Sequence, residues 1–269
     1  MIGGARPAGN MLVAVVAHPD DEALIAGGTL ALAARAGTAT GVVSLTRGEL
    51  GPIAPASLAE GETLAEARAR ELAASARELG LDWVRCLRHG DGELGWEDAL
   101  AIGRELADVL QPHRPAVVLT FGDDGLYGHP DHVATRLIVA EAAALLSPSP
   151  WVLEASWAAE LVPELVAAAA ARGLPVDLWG LDPRAFGSAP KSPAATIDVR
   201  AALPRKLRAL RAHRTQLAGD HLLAALPDDL ARRFLGDETW HAGCADALAA
   251  LRTLLRPTSA TDVRAAHDG

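Results

Sequence analysis

Two segments of this sequence join imidazole to carboxylate at spacings that suit metal-assisted hydrolysis. They are His18-Pro19-Asp20-Asp21-Glu22 and the stretch from Asp123 and Asp124 through Tyr127 to His129-Pro130-Asp131-His132. A catalytic zinc takes three nitrogen or oxygen ligands and keeps one position open for water. His18 and Asp21 can supply two of them and His132 the third, which implies one Zn2+ per chain. Adjacent carboxylates do not easily point the same way, so Asp20 is free to face the attacking water as general base. His129, one helical turn before His132, can polarise the substrate oxygen or protonate a leaving group. Taken piece by piece the same residues have plainer readings. HPDD also suits a helix N-terminus whose acidic side chains cap the first turn, and either histidine alone suits a polar residue satisfied by a neighbour.

The elements that must position these residues alternate between apolar runs and helical patterns. Strands are predicted over 12–17, 40–45, 83–87 and 116–121. Helices are predicted over 22–36 (stopped by Gly37), 62–79 (stopped by Gly80), 96–110 and 130–146, the last opened by Pro130 at the favoured first position. Glu66 and Arg70 are spaced for an i,i+4 pair on the second of these. The alternation predicts an α/β fold, a Rossmann-like doubly wound, mostly parallel sheet with helices on both faces. In such sheets ligands bind beyond the carboxyl ends of the strands, where both segments fall. Beyond residue 150 the pattern loosens. Strands over 151–155 and 196–199, helices over 160–171, 204–213 and 246–255, and a Pro/Gly-rich excursion over 179–193 form a looser C-terminal extension. A single domain over 1–256 follows, with a core of about 11–147, an extension of about 148–256, and a disordered polar tail over 257–269.

Composition narrows the class. Half of the 269 residues are hydrophobic but only 4% are aromatic, which suits a core of Ala, Val and Leu between helices and a parallel sheet. A formal charge of -9 with scattered arginines excludes a phosphate-tracking basic stripe, so no nucleic-acid partner is expected. The apolar run over 11–17 is too short for a signal segment, and no stretch is long enough to cross a bilayer. A soluble cytoplasmic protein without membrane insertion is the expectation. Cys86 and Cys244 are far apart and form no CxxC, so they read as free thiols. Gly90-Asp91-Gly92-Glu93-Leu94-Gly95 fits the dinucleotide pattern GxGxxG, but two acidic side chains inside it would repel a pyrophosphate.

Val16-Ala17-His18-Pro19-Asp20-Asp21-Glu22, Gly27-Gly28-Thr29, Leu45-Thr46-Arg47-Gly48-Glu49-Leu50-Gly51 and His129-Pro130-Asp131-His132 together resemble the LmbE-like (PIG-L) family of zinc-dependent N-deacetylases. The resemblance runs from about Leu12 to His132 and resumes at 206–216, where His213-Arg214-Thr215-Gln216 resembles a family His-x-Ser/Thr-Gln segment. It implies His18, Asp21 and His132 on zinc, Asp20 as general base and His129 beside the substrate carbonyl. It further implies Asp131 as a carboxylate behind an imidazole, Tyr127 as a helper of the tetrahedral oxyanion, and Arg68 and Asp91 as substrate contacts. From the residues alone, Tyr127 reads as a core or rim aromatic, Arg68 as a solvated helix charge and Asp91 as a turn former.

The function this implies is removal of the N-acetyl group from an N-acetylglucosamine-type conjugate, with a small amino-sugar molecule as partner and homo-oligomerisation left open. Whether Asp20 or His129 protonates the departing amine also stays open. A related branch hydrolyses thiol (mycothiol-type) conjugates, but it carries Lys where this chain has Ile25. A metal-dependent phosphoesterase would want a basic clamp, for which only Arg47 and Arg68 are candidates. A nucleotide-binding module without catalysis is the remaining alternative.

Overall fold

The computed structural model describes residues 9–54, 58–189, 191–217 and 221–257. The polar tail expected over 257–269 falls, apart from Pro257, outside them. Five parallel strands come first: β1 (Met11–Val16), β2 (Ala39–Thr46), β3 (Trp83–His89), β4 (Val117–Thr120) and β5 (Trp151–Ala155). Helices α1 (Gly27–Arg35), α2 (Leu64–Leu79), α3 (Ala99–Leu110), α4 (Gly125–Gly128, one kinked turn) and α5 (Pro130–Leu145) connect them. β6 (Ala194–Asp198) and β7 (Asp237–Ala242) complete a seven-stranded sheet of order β3-β2-β1-β4-β5-β7-β6. Helices α6 (Leu161–Ala170), α7 (Leu203–Ala212), α8 (Leu222–Ala225), α9 (Asp228–Phe234) and α10 (Ala245–Leu254) belong to the second half.

The doubly wound α/β expectation holds. α1, α2 and α7 pack together as one layer, and α3 packs on α5, which in turn lies against β1, β4 and β5. The chain winds outward from β1 through β2 to β3, then returns to place β4 on the other flank of β1. The loops after β1 and β4 therefore leave the sheet at its switch point, where a crevice opens between them.

The second half is less loose than its sequence suggests. β7 runs antiparallel between β5 and β6, and α7 joins the layer of α1 and α2. β7 escaped the sequence pattern because its inward positions alternate as Glu238, Trp240 and Ala242, and a buried carboxylate does not read as core. That carboxylate accepts hydrogen bonds from Gly28 N and Thr29 N at 2.8 Å each, and from Lys206 Nζ at 2.7 Å. Its capture of these amides coincides with the break of the helix predicted over 22–36 into a π-helical turn (Glu22–Ala26) and then α1. Gly28 is glycine because a Cβ there would lie 2.4 Å from Val199 Cβ. Glu238→Ala would strand a buried ammonium and two amides. It is expected to cost about 3–5 kcal/mol, read as a lowered urea midpoint with an unchanged slope.

Gly80 stops α2 in the left-handed conformation as expected. The anticipated Glu66 and Arg70 pair does not form. Glu66 closes a capping box with Thr63, and Arg70 turns to Glu62. A carboxylate at the third helical position is better used on the free amide at the cap than on an exposed cation.

Candidate active site

β1 ends directly in the His18–Glu22 loop, whose backbone is strained: Asp20 has φ 124°. Non-glycine residues in that region persist only where the surroundings hold them, and they cluster at functional sites. Here the holders are Arg68 and Glu22. The Arg68 guanidinium donates to Pro19 O at 2.6 Å, to Gly48 O at 2.8 Å and to Asp20 Oδ2 at 3.1 Å. The Asp20 amide donates to Glu22 Oε2 at 3.0 Å. Gly48, at φ 63°, is a glycine because a Cβ would lie 2.4 Å from that guanidinium.

His18, Asp21 and His132 converge, with one ligating atom from each within 4.8 Å of the others. His18 Nε2 lies 3.2 Å from Asp131 Oδ2 and 3.1 Å from Asp91 Oδ1, so the ring proton belongs there. Its Nδ1 lies 3.3 Å from Asp21 Oδ2. His132 repeats the pattern. Its Nδ1 lies 3.1 Å from Gly125 O, and its Nε2 is buried without a hydrogen bond, 3.3 Å from Asp21 Oδ1. Two imidazole nitrogens and one carboxylate oxygen, buried and converging, form a donor set that zinc takes, with binding displacing any proton held on the ligating nitrogens. The residues therefore fit the metal inferred from the sequence. Phe121 stacks on the His132 ring at 3.9 Å and fixes its plane. A second grouping of His18, His129 and Asp131 shares His18, and there Asp131 Oδ2 is engaged by that ring and by Gly92 N while Oδ1 is buried without a hydrogen bond.

The electrostatics follow. Burial alone would lower the His18 pKa, but Asp131, Asp21 and Asp91 outweigh it and hold it well above the ordinary imidazole range. Burial would raise that of Asp21, but His132 and His18 hold it well below the carboxylate range. Asp20 goes the other way, pushed up to about 6 by burial, with Arg68 opposing and Asp21 adding. His129 is driven down to about 4 by burial and by His132 and His18. It accepts from Asp131 N through Nδ1, so a neutral ring keeps its proton on Nε2 as a donor. Burial, reinforced by Asp21 and Asp20, pushes the Tyr127 phenol up, and it stays a protonated donor.

These groups line a cavity of about 340 Å3. His18, Asp20, Asp21, His129 and Tyr127 form its polar wall, and Leu24, Trp179, Leu181, Leu210 and Leu217 an apolar one. Arg68 and Asp91 border the cavity too, with their polar atoms largely engaged. Arg68 binds the loop, and Asp91 spends one oxygen on His18 and the other on Leu50 N, at 2.7 Å. Arg68 is thus not a solvated helix charge: its two terminal nitrogens hold the loop, and its Nε is buried without a hydrogen bond. Asp131 is fully buried behind His18 and Gly92 and touches no part of the cavity wall. Gly90 to Gly95 delivers Asp91 and Gly92 to the site and cradles no phosphate, since the Glu93 carboxylate fills the space beside Gly90.

Sequence reasoning missed the contribution of the 179–193 excursion and of the segment after α7. Trp179 and Leu181 come from the first, and Gln216 and Leu217 from the second. Thr215 donates from N and Oγ1 to Glu71, and Gln216 donates to Pro52 O. The only signal was the short segment His213-Arg214-Thr215-Gln216.

Residues 13–143 match the family model described as PIG-L: GlcNAc-PI de-N-acetylase. The chain is 32% identical over 260 residues to a 1D-myo-inositol 2-acetamido-2-deoxy-alpha-D-glucopyranoside deacetylase of Thermobispora bispora, covering 83% of this chain and 85% of that one. Among solved structures, the conserved protein TT1542 from Thermus thermophilus superposes with a TM-score of 0.60 at 26% identity, covering 87% of this chain and 94% of that one. A 4-carboxy-2-hydroxymuconate hydratase from Pseudomonas putida reaches a TM-score of 0.61 at 21% identity, over 87% and 96% of the two chains, so the fold alone does not choose the reaction. Sequence likeness along most of the chain and the two intact histidine motifs at the switch point do choose the family: this chain belongs to the PIG-L family.

Proposed function

We propose that this protein is a zinc-dependent hydrolase that removes the N-acetyl group from a glycoside of N-acetylglucosamine, releasing acetate and a free amine. The observation that carries the reading is the convergence of two imidazole nitrogens on the Asp21 carboxylate, beside a cavity that also presents Asp20 and His129. The named activity of the relative from Thermobispora bispora supports the same substrate class. His18, Asp21 and His132 would hold the zinc. When bound, zinc supplies Lewis-acid polarisation and lowers the pKa of water.

The remaining work falls to the chain. Asp20, anchored by Arg68 through one oxygen, takes the proton from the attacking water. His129 Nε2–H and the Tyr127 hydroxyl donate to the oxygen on which negative charge develops. Asp131 keeps the His18 ring proton turned away from the ligating nitrogen. The apolar wall excludes water from the acyl group. The arginine of the cavity wall offers no unengaged fork to a phosphate, since Arg68 is spent on backbone carbonyls and Asp20, which disfavours the phosphoesterase alternative.

The test is acetate release from an N-acetylglucosamine glycoside by protein stripped of metal and then reloaded with one equivalent of zinc. Activity that appears only on reloading supports the reading. Phosphate release from the corresponding phosphorylated sugar, without acetate, overturns it. Tyr127→Phe removes one oxyanion donor and is expected to depress kcat on the order of 100-fold at nearly constant KM, because the phenol acts only as charge forms. Steady-state kinetics at saturating zinc measure it.

A further inference from the structure

We propose that His213 is a positioning residue of the active site, holding Asp20 in its working conformation through the Glu22 carboxylate. The inference rests on the reading of Asp20 as the base and goes beyond it, since it assigns a role to a residue far from the two histidine motifs.

The chain of contacts is short and dry. His213 Nε2 lies 2.8 Å from Glu22 Oε1, and the Ser75 hydroxyl donates to the same oxygen. His213, Glu22 and Ser75 all have no exposed surface. With Oε1 claimed by two donors, the carboxylate plane is set, and Oε2 is turned to the Asp20 amide. That amide belongs to the residue at φ 124°, a conformation the local chain does not favour. Asp20 O already accepts from Ala23 N and Leu24 N, and one Asp20 oxygen is held by Arg68. The peptide of Asp20 is thus gripped at its amide, its carbonyl and its side chain, and the amide grip alone depends on residues from the far end of the chain.

His213 is itself fixed. It follows α7, its carbonyl accepts from Gln216 N and Leu217 N, and Thr215 is bonded twice to Glu71 on α2. Glu71 and Ser75 are one helical turn apart on α2, so one helix anchors both the segment that carries His213 and the carboxylate it holds. A buried ion pair with only a packing role needs no third partner. This one has a third partner, the strained amide of the base.

The experiment is a double-mutant comparison on zinc-loaded protein with an N-acetylglucosamine glycoside. His213→Ala is expected to lower kcat about 10- to 100-fold, the effect of displacing a catalytic group by about 1 Å, with KM within about 2-fold and one zinc per chain retained. His213→Gln, which keeps a nitrogen donor within reach of Glu22, should recover most of the loss. In an Asp20→Ala background, His213→Ala should change kcat by less than about 2-fold, because the group it positions is gone. An equal loss in both backgrounds overturns the proposal, as does loss of zinc. Ser75→Ala removes a donor from the same Glu22 oxygen with little change in volume. It carries the comparison if His213→Ala does not fold, with a smaller loss that again vanishes without Asp20. Crystal structures of the zinc-loaded variants give a readout without turnover: Asp20 should leave positive φ in His213→Ala and keep it in His213→Gln. If wild-type protein releases no acetate, the functional reading fails by itself, and an unmoved Asp20 in His213→Ala overturns the positioning role separately.

Discussion

Asp20→Ala is expected to bind zinc at one ion per chain and to turn over about 100- to 10,000-fold more slowly, the range over which a positioned base accelerates proton transfer. The expectation follows from where the two carboxylates point. Asp21 has one oxygen on the His18 side and the other on the His132 side, whereas Asp20 faces Arg68 and the cavity. On the proposed ligand set, removing Asp20 therefore subtracts no metal ligand. Metal content by plasma emission spectrometry, measured beside kcat, separates the roles. Asp20→Ala with zinc lost would mean that the two aspartates have exchanged duties.

Asp21→Ala and His132→Ala are expected to do the opposite. Each leaves two of three ligands, and activity should fall to the metal-free background unless zinc is in large excess. The effect of Asp21→Ala extends further than affinity. Asp21 Oδ2 also accepts the His18 amide at 2.8 Å, so the loop loses a local bond together with the charge that both imidazoles face. An anomalous-difference map at the zinc edge, on crystals of wild type and of each variant, reports occupancy directly. A full peak among His18, Asp21 and His132 in Asp21→Ala would remove that residue from the ligand set.

Much of this arrangement was legible in the sequence. β1 and β4 are continuous apolar runs that end in the two histidine motifs, and a parallel sheet buried on both faces leaves such runs few other places to go. The proposed ligand set came from residue type and the expected adjacency of those strands, and the structure brings the three side chains together. What was illegible depends on contacts between residues far apart in the chain. Arg68 reads as a helix charge until Gly48 and Pro19 supply carbonyls for it. Glu22 reads as a helix-start acid until His213, 191 positions away, meets it in the core. β7 was hidden for the same reason. Its first inward residue, Glu238, is polar in isolation and becomes core only where Lys206 and the start of α1 surround it.

The insertion of β7 between β5 and β6 has a consequence for synthesis on the ribosome. β5 ends at Ala155 and its neighbour β7 begins at Asp237, so the strand that covers one edge of the parallel sheet emerges late. At about 5–20 residues per second, that edge waits roughly 4–16 s for its partner. During that time the backbone groups of β5 are an open template for strands of other nascent chains. The two histidine motifs are synthesised well before this, but the carboxylate that holds the first amides of α1 arrives only with β7. Slowed elongation over 156–236 should therefore favour aggregation over enzyme, and a chaperone that shields strand edges would act on this chain in that interval.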